Sequence, residues 1–200
     1  MCVIGQPDWT PPNCKFELDD ASLDWTFADN SFDFIHIRYL LGSIDDWSKL
    51  YRQAFRCLKP GGWIEHTDCS VQIQADDGSL PKDNIYNQWN SFFVEAGTIT
   101  GRTFNVVEND QQGDWAREAG FEPSTVNIHK FKMPFGTWPA EKKWKEVGIY
   151  NRTASIEGLE GYGLYVGTQI LGWQVPELQV FFAKVRAAML NPNYHAYNPW

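Results

Sequence analysis

The sequence predicts an α/β fold of layered, mainly parallel strands, and three stretches predict it. "FDFIHI", residues 32–37, is an apolar run of strand length, and "DDWSKLYRQAFRCL" then sets Trp47, Leu50, Tyr51, Ala54, Phe55 and Leu58 at helical spacing. After Pro60-Gly61-Gly62 the chain returns to a strand in "GWIEHTDCSVQI". Strands separated by helices pack as a parallel sheet with helices on its faces.

The remaining elements follow in order. "MCVIG" is a short apolar strand, and "QPDWTPPN" is extended and broken by proline. "CKFEL" alternates, delivering Asp19 and Asp20 to the carboxyl edge of a strand. The helix over 45–58 begins acidic and ends basic, which suits its dipole. "DDGSLPKDN" is a polar loop, and residues 84–100 are helical, with Ile85, Trp89, Phe92, Phe93 and Ala96 on one side. "DWAREAGFEPSTVNIHKFKMPFG" reads as a short helix, a turn at Gly120 and a strand in which His129 alternates with Val126, Ile128 and Phe131 as a structural residue. Residues 141–172 are helical and punctuated by glycine, and "PELQVFFAKVRAAML" is an amphipathic helix opened by Pro176. No internal repeat is visible. Two hundred residues make a single domain, with its core at about 1–135 and 176–200 and a helical cap at about 80–105 and 141–175.

A net charge of −8 argues against nucleic acid or an anionic membrane as partner, because phosphates would be repelled. A small neutral or apolar molecule is the expected ligand. Ten Trp, 13 Phe and eight Tyr fit a roomy aromatic cavity or an oligomer interface. The cysteines at 2, 14, 57 and 69 have no metal-ligand spacing, so free thiols and a cytoplasmic location are expected. No apolar stretch has membrane-spanning length.

"WTPPNCKFELDDASLDWTFADNSFDFIHIRYLLGSIDDWSKLYRQAFRCLKPGGWIE" resembles the methyltransferase-like proteins of filamentous fungi related to the secondary-metabolism regulator LaeA. The likeness continues through "DDGSLP", "WAREAGFE", "PFGTWP", "YNRTASIEGLEGYGL" and "ILGW" to "HAY". The resemblance implies a Rossmann-like class I methyltransferase fold with a helical substrate cap. It also implies a Gly-rich turn for S-adenosylmethionine and an acid for the ribose hydroxyls, and neither part is found in this sequence. "VIG" at 3–5 resembles the second strand of such proteins but is followed by Gln6 and Pro7. The family's adenine-side acid maps onto Asp20, and the turn after its fourth strand onto His36-Ile37-Arg38.

An incomplete sheet exposes unpaired amides, each costing about 1–3 kcal/mol when buried unsatisfied. "MCVIG", a strand from a second subunit or a rearranged sheet would have to fill the gap, so a homodimer with exchanged termini is expected. Losing the groups that orient S-adenosylmethionine favours a cofactor-independent cyclase or isomerase that folds a polyketide-like molecule in an aromatic pocket. A methyltransferase using that donor, or a non-catalytic regulatory subunit, are the alternatives.

His66 and Asp68, two apart at the carboxyl end of a strand, form the expected acid–base couple, with Glu65 pointing the other way. His36 and Arg38 end the neighbouring strand, face one side and are suited to bind a carbonyl or to pair with Asp19, Asp20 or Asp45. Tyr39 closes the same pocket. On the cap, Tyr150, Asn151 and Glu157 share a helical face, with Glu157 the candidate acid or base, and Tyr162 follows. Trp89, Phe93 and Trp138 are candidate pocket walls. No metal site or nucleophile motif is present.

Overall fold

The structure is a computed structural model that describes residues 9–200, so "MCVIG" and Cys2 lie outside the described residues. Strand β1, Phe32–Arg38, leads to helix α1, Trp47–Cys57, and back to strand β2, Leu58–Thr67. The two strands pair in parallel, Ile35 against Ile64 and Arg38 against Thr67. Helix α1 forms because Asp46 caps it, its carboxyl accepting from the Lys49 amide at 2.7 Å, and because Trp47, Leu50, Tyr51, Ala54 and Cys57 line one buried stripe. At its end Arg56 donates to the carbonyls of Trp25 and Phe27 and to Asp29, pinning the chain that enters β1.

The Pro60-Gly61-Gly62 turn does not precede β2 as expected but sits inside it. Phe32 pairs with Leu58 and Phe34 already with Trp63, so the turn is bulged out of register. Gly61 makes the bulge possible, since its φ of 82° is open to glycine and costly for other residues.

Helix α2, Ile85–Thr100, helix α3, Gln111–Ala119, and helix α4, Lys142–Tyr165, follow, the last running into a π-helical turn, Val166–Ile170. Helix α5 is Val175–Leu190. Short strands β3, Lys132–Pro134, and β4, Tyr197–Pro199, pair antiparallel as a separate two-stranded sheet.

Two apolar clusters organise these elements. Ile37, Ile44, Trp47, Leu50, Tyr51, Val106 and Ala116 hold α1 and α3 against one face of the parallel pair. The larger cluster joins α2, α4 and α5 through Tyr86, Trp89, Phe92, Phe93, Leu159, Phe181 and Phe182. Helix α5, expected in the core with the strands, thus packs with the helices of the cap. Leu41 touches both clusters.

Two expected strands do not form. "CKFEL" is exposed and pairs with no strand among the described residues. Residues 126–131 are not a strand: Phe131 pairs with Trp200, and a cleft of about 810 Å³ separates residues 126–131 from β2.

Candidate functional site

The parallel pair has two unlike faces. Ile35, Ile37, Ile64 and His66 alternate toward α1 and α3, whereas Phe34, His36, Trp63 and Glu65 point to the open side. His36 and His66, expected side by side, are therefore separated by the sheet. Strand alternation causes this: His36 is registered against Glu65, not against His66, and its Nδ1 lies 2.8 Å from the Glu65 carboxyl.

On the covered face a relay of three side chains is buried. The Tyr51 hydroxyl lies 2.8 Å from His66 Nδ1, and His66 Nε2 lies 3.4 Å from Asp68 Oδ2. Burial first, and Asp68 second, push the Tyr51 phenol above its ordinary range, so it keeps its proton and donates to Nδ1. The tautomer with hydrogen on Nε2 then faces Asp68. Trp47 stacks on His66 at 5.0 Å between centroids, and Trp115 stacks on Trp47 at 5.2 Å. Asp68 also accepts from the Leu40 amide at 3.1 Å and the Cys69 amide at 3.0 Å. His66 and Asp68 are thus brought together in a hydrogen-bonded network that ties β2 to the segment after β1.

Tyr39 occupies the carboxyl end of β1 with φ at 55°, a genuine outlier for a bulky side chain. The Arg38 guanidinium lies 5.0 Å from the centre of its ring, and Trp200 meets the ring edge-on at 5.2 Å. Burial, then Cys69, raise the Tyr39 phenol, the Arg38 guanidinium opposes them, and Tyr162 on α4 adds a smaller upward push. Arg38 and Trp200 thus flank the Tyr39 ring at the carboxyl end of β1, the edge where open α/β sheets bind ligands. Arg38 shows no pairing with Asp19, Asp20 or Asp45 among the described residues.

The other candidates are dispersed. Trp89 and Phe93 are packed inside the helical cluster, Trp89 stacked on Phe181 and Phe93 edge-on to Phe92, and do not line the cleft beside β2. Trp138 stacks on His195 at 5.4 Å and donates to the Ala196 carbonyl, so it clamps the chain after α5. Asn151 donates to the carbonyls of Met133 and Pro134, joining α4 to β3, which makes it a structural clamp. Tyr150 and Glu157 are exposed and do not join Asn151 in a pocket, since α4 turns them to solvent. His129 is exposed on the cleft rather than buried in a strand.

Tyr51, Cys69 and Trp200 are site members that periodicity hides. Tyr51 reads as one more core position on the α1 stripe; the available signal is that a buried tyrosine needs a partner for its hydroxyl. Among the described residues no cluster of His, Cys, Asp or Glu is arranged to hold a metal, and no helix is long and apolar enough to cross a membrane.

Asp20, onto which the resemblance maps the adenine-side acid, is exposed, its Oδ1 accepting from the Ser22 amide at 2.9 Å. Among the described residues no glycine-rich turn joins a strand to a helix ahead of β1.

The parallel strand–helix–strand unit β1–α1–β2, with helices packed against it, is an α/β arrangement compatible with a methyltransferase-type fold. The sequence comparison agrees: the model of the methyltransferase domain matches residues 5–126, and the chain belongs to that family. The methyltransferase pytC of Aspergillus terreus is 37% identical over 191 residues, covering 96% of this chain and 57% of the relative. The probable methyltransferase tdiE of Emericella nidulans is 32% identical over 92% of this chain and 56% of its own length. The secondary metabolism regulator LAE1 of Cochliobolus heterostrophus is 30% identical over 96% of this chain and 62% of its own. The chain thus spans somewhat more than half the length of these curated relatives. It is a methyltransferase-like protein similar to fungal proteins of secondary metabolism.

Proposed function

We propose that this chain carries the substrate-handling part of a small-molecule methyltransferase of secondary metabolism. The observation that carries the reading is the Arg38 guanidinium lying 5.0 Å from the centre of the Tyr39 ring, with Trp200 edge-on to that ring at 5.2 Å, at the carboxyl end of β1. Arg38 is a cation beside an aromatic surface, a combination suited to a flat phenolic or carbonyl compound. Trp200 on Tyr39 supplies a second ring for stacking. Bound S-adenosylmethionine would supply the methyl group, and Asp20 is the residue here that would meet its adenine. The strained Tyr39 backbone, costing about 1–3 kcal/mol, is consistent with a residue held for binding rather than packing.

A second reading, a cofactor-independent cyclase or isomerase, is favoured by one feature. The Tyr51–His66–Asp68 relay is complete without any added group and is able to move a proton.

The test is calorimetric titration with S-adenosylmethionine, followed by incubation with methyl-labelled donor and a panel of phenolic polyketides. Donor binding with label transfer, weakened by Arg38→Ala, supports the methyltransferase reading. Conversion of a polyketide to a product of equal mass without donor supports the second, and His66→Ala should then abolish it. No donor binding and no conversion would leave neither reading standing and favour a regulatory subunit.

A further inference from the structure

We infer that Asp68 is a positioning residue for the ligand edge: through the Leu40 amide it holds the Tyr39 backbone at positive φ and so fixes where the Tyr39 ring stands against Arg38. The inference rests on the reading that Arg38 and Tyr39 form the binding surface. Three consecutive residues carry it. Arg38 is the last residue of β1 and is registered against Thr67. Leu40 donates its amide to Asp68 Oδ2 at 3.1 Å. Thr67 ends β2 and Asp68 follows it, so the end of one strand fixes both the residue before Tyr39 and the residue after it.

Between those two points Tyr39 adopts a φ of 55°. Such a backbone crowds Cβ against the carbonyl, and a bulky residue stays there only where its surroundings impose it. Rotation of Tyr39 to an ordinary negative φ would turn the rigid peptide that follows and swing the Leu40 amide away from Oδ2. The chain beyond is tied down separately, with Ser43 donating to the Leu40 carbonyl at 2.9 Å and Gly42 to that of Thr103 at 2.8 Å.

Asp68 is itself held still. Its side chain has no solvent access, Oδ1 takes the Cys69 amide at 3.0 Å, and His66 Nε2 lies 3.4 Å from Oδ2 with the Tyr51 hydroxyl on the far side of the ring. Trp47, stacked on His66, keeps the imidazole from turning. Both carboxyl oxygens thus serve backbone amides, a use suited to holding geometry. The result is displayed at the surface: the Tyr39 ring, 47% exposed, has the Arg38 guanidinium 5.0 Å from its centre. A Tyr39 free to change φ would carry that ring elsewhere, and a ligand would have to select the fraction of chains in which it stands correctly.

The test uses the whole chain and two ways of removing the hydrogen bond. One is Asp68→Ala. The other replaces the Leu40 amide by an ester, which deletes the donor and leaves every side chain in place, and so covers the case in which Asp68→Ala does not fold. The Cα and Cβ chemical shifts of Tyr39 and its amide-to-Hα coupling read its φ. They should report positive φ in the wild type and in Asp68→Asn, which keeps an acceptor, and its loss in Asp68→Ala and the ester chain. The probe para-hydroxybenzoate, a flat phenol with a carboxylate, should bind the ester chain ~10-fold more weakly than wild type, as expected when the competent conformer falls to about a tenth of the population. Tyr39 keeping its φ in the ester chain overturns the inference, and so does equal affinity of the two chains for the probe. A wild type that does not bind the probe removes the binding-surface reading instead, and the Tyr39 shifts then decide on their own whether Asp68 holds it.

Discussion

The Asp68 carboxyl accepts a hydrogen bond from the Leu40 amide at 3.1 Å, fastening the end of β2 to the first turn after β1. The same oxygen faces His66 Nε2, and the other takes the Cys69 amide. One side chain without solvent access thus satisfies two backbone donors and an imidazole at the edge where the candidate site lies.

Asp68→Ala should therefore destabilise the fold more than a typical surface change. It strands two amides and a histidine nitrogen, each worth about 1–3 kcal/mol when buried without a partner. Urea denaturation should show a loss of several kcal/mol, and Asp68→Asn, which keeps an acceptor, a smaller one. Equal midpoints for wild type and Asp68→Ala would remove the fastening role.

Gly42 marks how tightly the two apolar clusters are joined. Its φ is 70°, and an added Cβ would meet the Phe104 ring at 2.2 Å. Gly42→Ala should cost about 1–3 kcal/mol through overpacking, with left-handed strain in addition. A thermal melt within error of wild type would show that Phe104 moves aside freely.

The strand–helix–strand unit was legible because each of its residues answers to local rules. Asp46 caps, the α1 stripe has helical spacing, and Phe32–Arg38 is a short, apolar run of strand length, although only Ile37 of it is fully buried. What could not be read was pairing. "VNIHKF" and "CKFEL" alternate like strands, yet a strand exists only where a neighbour supplies hydrogen bonds, and sequence does not name the neighbour. The site was half legible for the same reason. His66 and Asp68 share a face by alternation alone, but their union with Tyr51, and the separation of His36, depend on which face α1 covers.

Cys69 should be the protected thiol beside the candidate site. Burial first, then Asp68 and Glu108, push it up to about 12, so the folded protein keeps it protonated at neutral pH. Cys14 is exposed and Cys57 buried. Iodoacetamide at pH 8 should label Cys14 well before Cys57 and Cys69, the half-buried Cys69 being slowed by its raised thiol. Labelling of Cys69 in the native protein as fast as Cys14 would contradict that shift.

The last prediction concerns acid. Asp77 holds the chain after α5 in place: its carboxyl pairs with His195 Nδ1 and takes the Ser79 amide at 3.0 Å, while Ser79 Oγ accepts from the His195 amide at 2.9 Å. Hydrogen bonding from Ser79, then from His195, lowers its pKa from 3.8 to about 2. A carboxyl depressed in the folded state binds fewer protons there than in the unfolded chain, so its stabilising contribution is complete above pH 3.8 and lost as pH falls toward 2. Asp77→Asn should abolish that part of the acid sensitivity while leaving the plateau above pH 5 parallel to wild type. The carboxyl carbon shift of Asp77, followed by NMR titration, reads the midpoint directly. A midpoint at the ordinary carboxylate value would show that Ser79 and His195 do not hold it in solution, and the clamp formed by Trp138 on His195 would then rest on stacking alone.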